Sequence, residues 1–284
     1  AVSTKSVYNS VAWGNVTQDL NTKNSNVVIA ADIKNGDVLN GPNFVDPEHG
    51  DYRIRPSLQL LDKGSNDKYQ QNVGLKKIYK DKSNQVLDYA KMFASEKDLG
   101  NTARLIGDNI DIGAYECDTK LRDIIYVKEG SAVAGTGESW DNPTNDLQGA
   151  INLAELYANK NAGKYGYVFV DRNLKADNVN ISMPGVKMFG SMHEEKSSET
   201  EPDAIVKDLL TQRKGIIESA SQSTINRLTL NNATTGTDTR MCIVDGFKVS
   251  GAVSIQGNSM LSTSIIDGNI SGDTNGMLYN SLAL

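Results

Sequence analysis

The chain has 284 residues, of which 38 % are hydrophobic and 23 % charged, and its formal net charge is −6. That acidic balance, with no stripe of Lys and Arg, argues against binding nucleic acid or an anionic membrane, both of which need clustered cations. No apolar run reaches the ~20 residues of a membrane span, and 25 Gly against six Pro favour a turn-rich β protein over a disordered tail.

In chain order, Val7-Tyr-Asn-Ser-Val-Ala-Trp13 alternates with period two and predicts a strand. A second apolar run covers 26–33. The stretch from Gly41 to Tyr52 is dense in turn residues, and 65–98 is polar and charged, with a short helix expected near 83–97. Asn109-Ile-Asp-Ile-Gly-Ala-Tyr-Glu116 returns to strand. Charge without periodicity over 118–125 marks a linker between a first domain, 1–117, and a second, 126–284. The two cysteines, Cys117 and Cys242, lie far apart and lack His neighbours, so no zinc site is expected and Cys242 reads as a small buried hydrophobe.

A fresh strand begins at Ile124-Ile-Tyr-Val127. Leu147, Ala150, Ile151, Ala154 and Ala158 fall on one helical face, and Asp146 or Asn145 before them is a good N-cap, so 146–158 predicts a helix. Tyr165-Gly-Tyr-Val-Phe-Val170 reads as a buried strand. From 215 onward short apolar runs alternate with Gly, Asn and Ser. Aligning Cys242-Ile-Val-Asp-Gly246 with Ser264-Ile-Ile-Asp-Gly268, and Val249-Ser-Gly251 with Ile270-Ser-Gly272, gives a repeat of about 22 residues, the signature of one solenoid turn per repeat.

Two sets of motifs carry a family resemblance. Pro42-Asn-Phe-Val-Asp46, Gly50-Asp-Tyr-Arg53, Asp62-Lys-Gly64 and Asp111-Ile-Gly-Ala-Tyr-Glu116 form a closing segment. Tyr126-Val127, Gly135-Thr-Gly137, Ser139-Trp140, Leu147 and Ala150-Ile151 form an opening one. In this order they resemble the bacterial right-handed parallel β-helix superfamily, the pectin-lyase-like fold, and within it surface proteins of the choice-of-anchor type. The resemblance implies an all-β chain of right-handed parallel β-helix pieces with one short capping α-helix, in an extracellular or cell-surface protein.

The closing segment precedes the opening one, and Val7-Tyr-Asn-Ser-Val-Ala-Trp13 aligns with Leu278-Tyr-Asn-Ser-Leu-Ala-Leu284. The chain therefore reads as the end of one unit followed by the start of another, a piece of a larger tandem protein. Open ends of such units are unpaired sheet edges. Val7, Tyr8, Val11, Trp13, Leu278, Tyr279, Leu282 and Leu284 are the expected self-association residues, with other copies or neighbouring repeats as partners.

Candidate chemistry is sparse. Asp245 and Asp267, each followed by Gly, would lie one strand spacing apart if stacked, close enough for Ca²⁺; the plainer reading is two outward Asp-Gly turns, and no cofactor is expected. Asp111 reads as a backbone cap. His49 and His193 are the only histidines, and neither sits in a zinc or catalytic motif. Lys187, Arg213 and Arg227 would serve as lyase bases or charge clamps, although their spacing singles none out. Trp140 is expected under the helix and Trp13 at an end, and either offers a face to a sugar. The leading expectation is a non-enzymatic structural or adhesive module. A fragment of a polysaccharide lyase or glycosidase, or a carbohydrate-binding module for a host or environmental glycan, stays open, because a fold of this kind hosts all three.

Overall fold

A computed structural model describes residues 8–12, 27–29, 44–46, 49–54, 60–73, 96–117, 121–131, 136–213, 222–232 and 238–284. The chain divides into two compact units, Ala1–Thr119 and Lys120–Leu284. The helix expected near 83–97 lies almost wholly outside the described residues.

In the first unit β1 (Ser10–Ala12) runs parallel to β2 (Val27–Ile29), with Ser10 opposite Val27. β3 (Phe44–Asp46) and β4 (Asp51–Ile54) form an antiparallel pair. Gly50 turns the corner between them at φ +81°, a conformation that glycine adopts without penalty. The polar stretch after β4 contains α1 (Asn66–Val73). Segments 60–64 and 110–112 then join backbone to backbone, Gly64 N–H to Ile110 carbonyl at 2.8 Å and Ile112 N–H to Leu60 carbonyl at 3.0 Å. Leu60, Leu61, Ile110 and Ile112 are buried there. A Cβ on Gly64 would lie 2.5 Å from the Ile110 oxygen, so this junction requires glycine.

The second unit opens with β5 (Ile124–Val127) and α2 (Leu147–Lys160). Asp146 caps α2 by accepting from the Gly149 N–H at 3.0 Å. β6 (Gly166–Asp171), β7 (Lys175–Ile181) and β8 (Val186–Met192) follow, then α3 (Pro202–Gln212) and β9 (Thr224–Asn232). Eight short strands end the chain: β10 (Cys242–Asp245), β11 (Lys248–Val249), β12 (Val253–Gly257), β13 (Ser259–Ser262), β14 (Ile265–Ile266), β15 (Ile270–Gly272), β16 (Met277–Tyr279) and β17 (Leu282–Ala283). One parallel sheet has the order β16-β13-β10-β8-β6-β5, and another has β15-β12-β9-β11-β14-β17, with β7 also beside β9.

Helix α2 packs on the sheet closely enough that a Cβ on Gly166 would lie 2.3 Å from the Ala154 oxygen. Polar side chains fix its position. Buried Glu155 accepts from the Ser182 and Met183 N–H groups at 2.8 and 3.0 Å. Gln148 exchanges two hydrogen bonds with the Asn180 backbone.

The expected all-β chain of right-handed β-helix pieces is corrected on this evidence of mixed structure. Helix accounts for 16 % and strand for 37 %, in parallel sheets that curl as a half-barrel and carry helices. The physical reason is unequal connections. Ile124 pairs with Tyr167 across a crossover that contains α2, and Lys187 pairs with Ile243 across one that contains α3 and β9. The last turns are regular but shorter than expected: Cys242 pairs with Ser259, Lys248 with Ile265 and Met260 with Met277, all at the 17-residue separation that also joins Ser262 to Asp245. The 22-residue alignment superposed two Asp-Gly pairs that occupy different corners. Asp245-Gly246 follows β10, whereas Asp267-Gly268 follows β14. The corner that recurs every turn is set by positive φ at Gly246, Thr263 and Asn280 (+81°, +47°, +47°), three residue types with no common sequence sign.

Candidate functional site

Successive side chains of a strand point to opposite faces, so the registers of the six-stranded sheet define two surfaces. Ile125, Val168, Met188, Val244 and Leu261 share the inner one and are all buried to within 1 %. On the outer face Ile124, Tyr167, Lys187, Ile243, Met260 and Met277 form one row, and Tyr126, Phe169, Phe189, Asp245, Ser262 and Tyr279 the next.

Helix α3 covers the β5–β8 part of that outer face. Its Val206 and Leu209 pack with Tyr167, Phe169, Phe189, Met192 and Trp140. Phe169 stacks on Tyr126 and on Phe189 with ring centres 5.7 Å apart in both pairs, and Trp140 meets Tyr126 edge-on at 4.9 Å. Trp140 is thus 6 % exposed, its faces spent on packing.

Beside this aromatic ladder the Lys187 ammonium lies 3.9 Å from the centre of the Tyr165 ring and 5.6 Å from that of Tyr167. Burial lowers its pKa, against the pull of Asp203. The Tyr167 hydroxyl donates to Asp203 Oδ1 at 2.5 Å, and burial together with that bond raises the phenol's pKa. The result is a half-buried cation held by two rings with a carboxylate close by. Sequence spacing pointed to Lys187 only as one of three cations; the signal that singles it out is the register that brings Tyr167 and Tyr165 to its side.

Asp245 is committed to an ion pair with Arg213 and accepts from the Ser262 hydroxyl at 2.5 Å. Arg213 also donates to the Gly190 carbonyl at 3.3 Å. Asp267 is exposed on another corner, where its N–H donates to the Val249 carbonyl. The expected stacking of Asp245 on Asp267 is therefore replaced by Asp245 on Ser262, and the two carboxylates do not meet as a Ca²⁺ pair. Among the described residues no group of three or more His, Cys, Asp or Glu is placed to hold a metal ion. Arg227 is exposed on β9. His49 is exposed, and His193 Nδ1 lies 3.1 Å from an Arg172 nitrogen.

In the first unit the closing motif forms a buried knot. Asp111 accepts from the Asp62 and Cys117 N–H groups, each at 2.8 Å, which is a backbone-capping arrangement. Glu116 is ion-paired with Arg104 and accepts from the Asp111 N–H at 3.1 Å. Asp98 accepts from the Glu116 N–H at 2.7 Å and from Thr102 at 2.6 Å. Burial pushes Asp111 up to about 6, and burial together with the Asp111 charge pushes Glu116 up to about 8. These groups face backbone and each other rather than a cleft, so they hold structure.

The remaining predicted residues lie on sheet edges. Among the described residues β15, β16 and β17 each have a strand neighbour on one side only. Their apolar side chains are open: Leu278 is 44 % exposed, Tyr279 67 %, Leu282 48 % and Leu284 74 %. Tyr8 and Val11 are half-buried, with the Lys68 ammonium 4.9 Å from the Tyr8 ring centre. Val7 and Trp13 lie outside the described residues.

No protein-family model matches the chain, nor does any curated protein or any solved structure. No helix among the described residues is long and apolar enough to cross a membrane.

Proposed function

We propose that the chain is a non-enzymatic structural or adhesive module of an extracellular or cell-surface protein, joined to other copies of itself or to neighbouring repeats through the edge of its last turn. One observation carries this reading: three strands of a single turn present unpaired edges together with an exposed apolar row, Leu278, Tyr279, Leu282 and Leu284. Edges of this kind template pairing with further strands, and a contiguous apolar patch marks an interaction surface. Light scattering across a concentration series tests the proposal. Mass that grows with concentration supports it, and a mass fixed at one chain up to the highest concentration refutes it.

A second reading is favoured by Lys187 between Tyr165 and Tyr167: a carbohydrate contact in which a half-open ring stacks on the sugar and the ammonium meets its oxygens. Glycan-array binding lost in Tyr165→Ala and kept in Leu282→Lys would favour it over the first reading.

A further inference from the structure

We infer that the surface meeting the last turn of this chain is strand β1 of a second copy, with Tyr8 and Asn9 leading into it, so that copies join head to tail in one fixed register. This rests on the self-association proposed above and adds the identity of the partner segment.

The two segments are alike in sequence, Tyr8-Asn-Ser-Val-Ala12 against Tyr279-Asn-Ser-Leu-Ala283. They are also built alike. Asn9 and Asn280 take φ of +50° and +47°, a left-handed conformation that few non-glycine residues adopt. The Ser10 hydroxyl donates to the Tyr8 carbonyl at 2.7 Å, and the Ser281 hydroxyl donates to the Tyr279 carbonyl at 3.0 Å. Asn9 is further fixed by paired bonds with the Ser65 backbone, 2.7 and 3.1 Å long. Both segments therefore turn the same corner into a strand of the same parallel kind.

Spacing and polarity agree as well. Ser10 lies opposite Val27, as Ile265 lies opposite Leu282, with the same separation along the chain. β1 uses its edge toward a later turn and β17 its edge toward an earlier one. The edges left over are of opposite kind and meet as a parallel pair, continuing the register that already joins β14 to β17. Setting Asn9 on Asn280 puts Ser10 beside Ser281 and Val11 beside Leu282. The contact is heterologous and does not close on itself, so copies add end to end.

The test mixes two single-cysteine variants of the full chain, Val11→Cys and Leu282→Cys, under mild oxidation; the native Cys117 and Cys242 are both buried. Paired residues on neighbouring strands are ~4.8 Å apart, within disulfide reach. The expected result is a cross-linked pair of chains from this mixture. Ser10→Cys in place of Val11→Cys gives little cross-link, because adjacent residues of a strand face opposite ways. Circular dichroism matching the parent chain qualifies each variant. If mass grows with concentration yet Val11→Cys cross-links no better than Ser10→Cys, the partner segment is wrong while self-association stands. A chain that stays monomeric at every concentration overturns both.

Discussion

Replacing Arg213 with Ala tests whether Asp245 belongs to the structure or to a ligand site. The two side chains are 13 % and 14 % exposed, so the pair is largely withdrawn from water. Removing one member of such a pair leaves the other charge uncompensated, at a cost of about 3 kcal/mol. Ser262 keeps its bond to the Asp245 carboxylate at 2.5 Å and softens the loss without supplying a charge. For a unit of this size the cost corresponds to a fall in Tm of about 6–12 °C. Asp245→Asn, which keeps the shape and the Ser262 contact, should cost less. The double variant should lose less than the two single losses combined, by at least about 1 kcal/mol of coupling. Urea unfolding followed by tryptophan fluorescence provides the assay, with Trp140 buried in the same unit as reporter. Additive losses, with coupling below about 0.5 kcal/mol, would show the ion pair to be a solvated contact. Millimolar Ca²⁺ should leave the Tm of the parent chain unmoved; a rise abolished by Asp245→Asn would return Asp245 to metal binding and refute the assignment made here.

Three further outcomes follow from other parts of the molecule. In the first unit Glu116 at about 8 and Asp111 at about 6 both stand above ordinary carboxylates. The folded state then binds more protons than the unfolded one, so stability is full below about pH 4. It falls as pH rises through 6 and then 8. Chemical unfolding at pH 5, 7 and 9 should show the decline and Glu116→Gln should flatten it, while a stability independent of pH in the parent chain contradicts the burial argument. Gly166→Ala should destabilise the second unit by about 2 kcal/mol, because its Cβ would lie 2.3 Å from the Ala154 oxygen and α2 must shift; thermal unfolding indistinguishable from the parent would show that the helix has room. Leu282→Lys places a charge on the exposed edge and should hold the chain at monomer mass in light scattering, with an unchanged Tm because Leu282 is already 48 % exposed.

How much of this was readable from the sequence depends on where each signal resides. Helix α2 was readable because its apolar face and its cap are both local: Ala150, Ile151, Ala154 and Ala158 are buried, and Asp146 bonds to Gly149. Strands β5 and β6 were readable as apolar runs. Helix α3 was missed although Pro202 at its first turn and the Ile205, Val206, Leu209, Leu210 stripe were available, because it sits in an acidic stretch that resembles a loop. β7 was hidden more deeply: its Lys-Ala-Asp-Asn-Val-Asn-Ile sequence is mostly polar, and it is a strand because β9 pairs with it from Lys175 to Ile181. No local pattern carries that information.

The repeat shows why motif spacing misplaced the site. Asp-Gly recurs visibly, yet what must recur in space is an apolar residue facing inward and a corner that reverses the chain. Val244 and Leu261 satisfy the first condition, and Gly246, Thr263 and Asn280 the second. Glycine, threonine and asparagine fill the same left-handed corner because the flanking turns hold it there, at a cost in backbone strain that threonine feels most. Serine is the more reliable marker. Ser264 and Ser281 each donate a hydroxyl back to the carbonyl two residues earlier, at 2.7 and 3.0 Å, bracing the corner just passed. Ser10 makes the same bond. A repeat read on that serine, rather than on aspartate, has the 17-residue period of the last turns, and it puts Asp245 on Ser262 instead of on Asp267. The same marker relates β1 to β17, which is why the sequence likeness of the two segments is matched by a likeness of backbone.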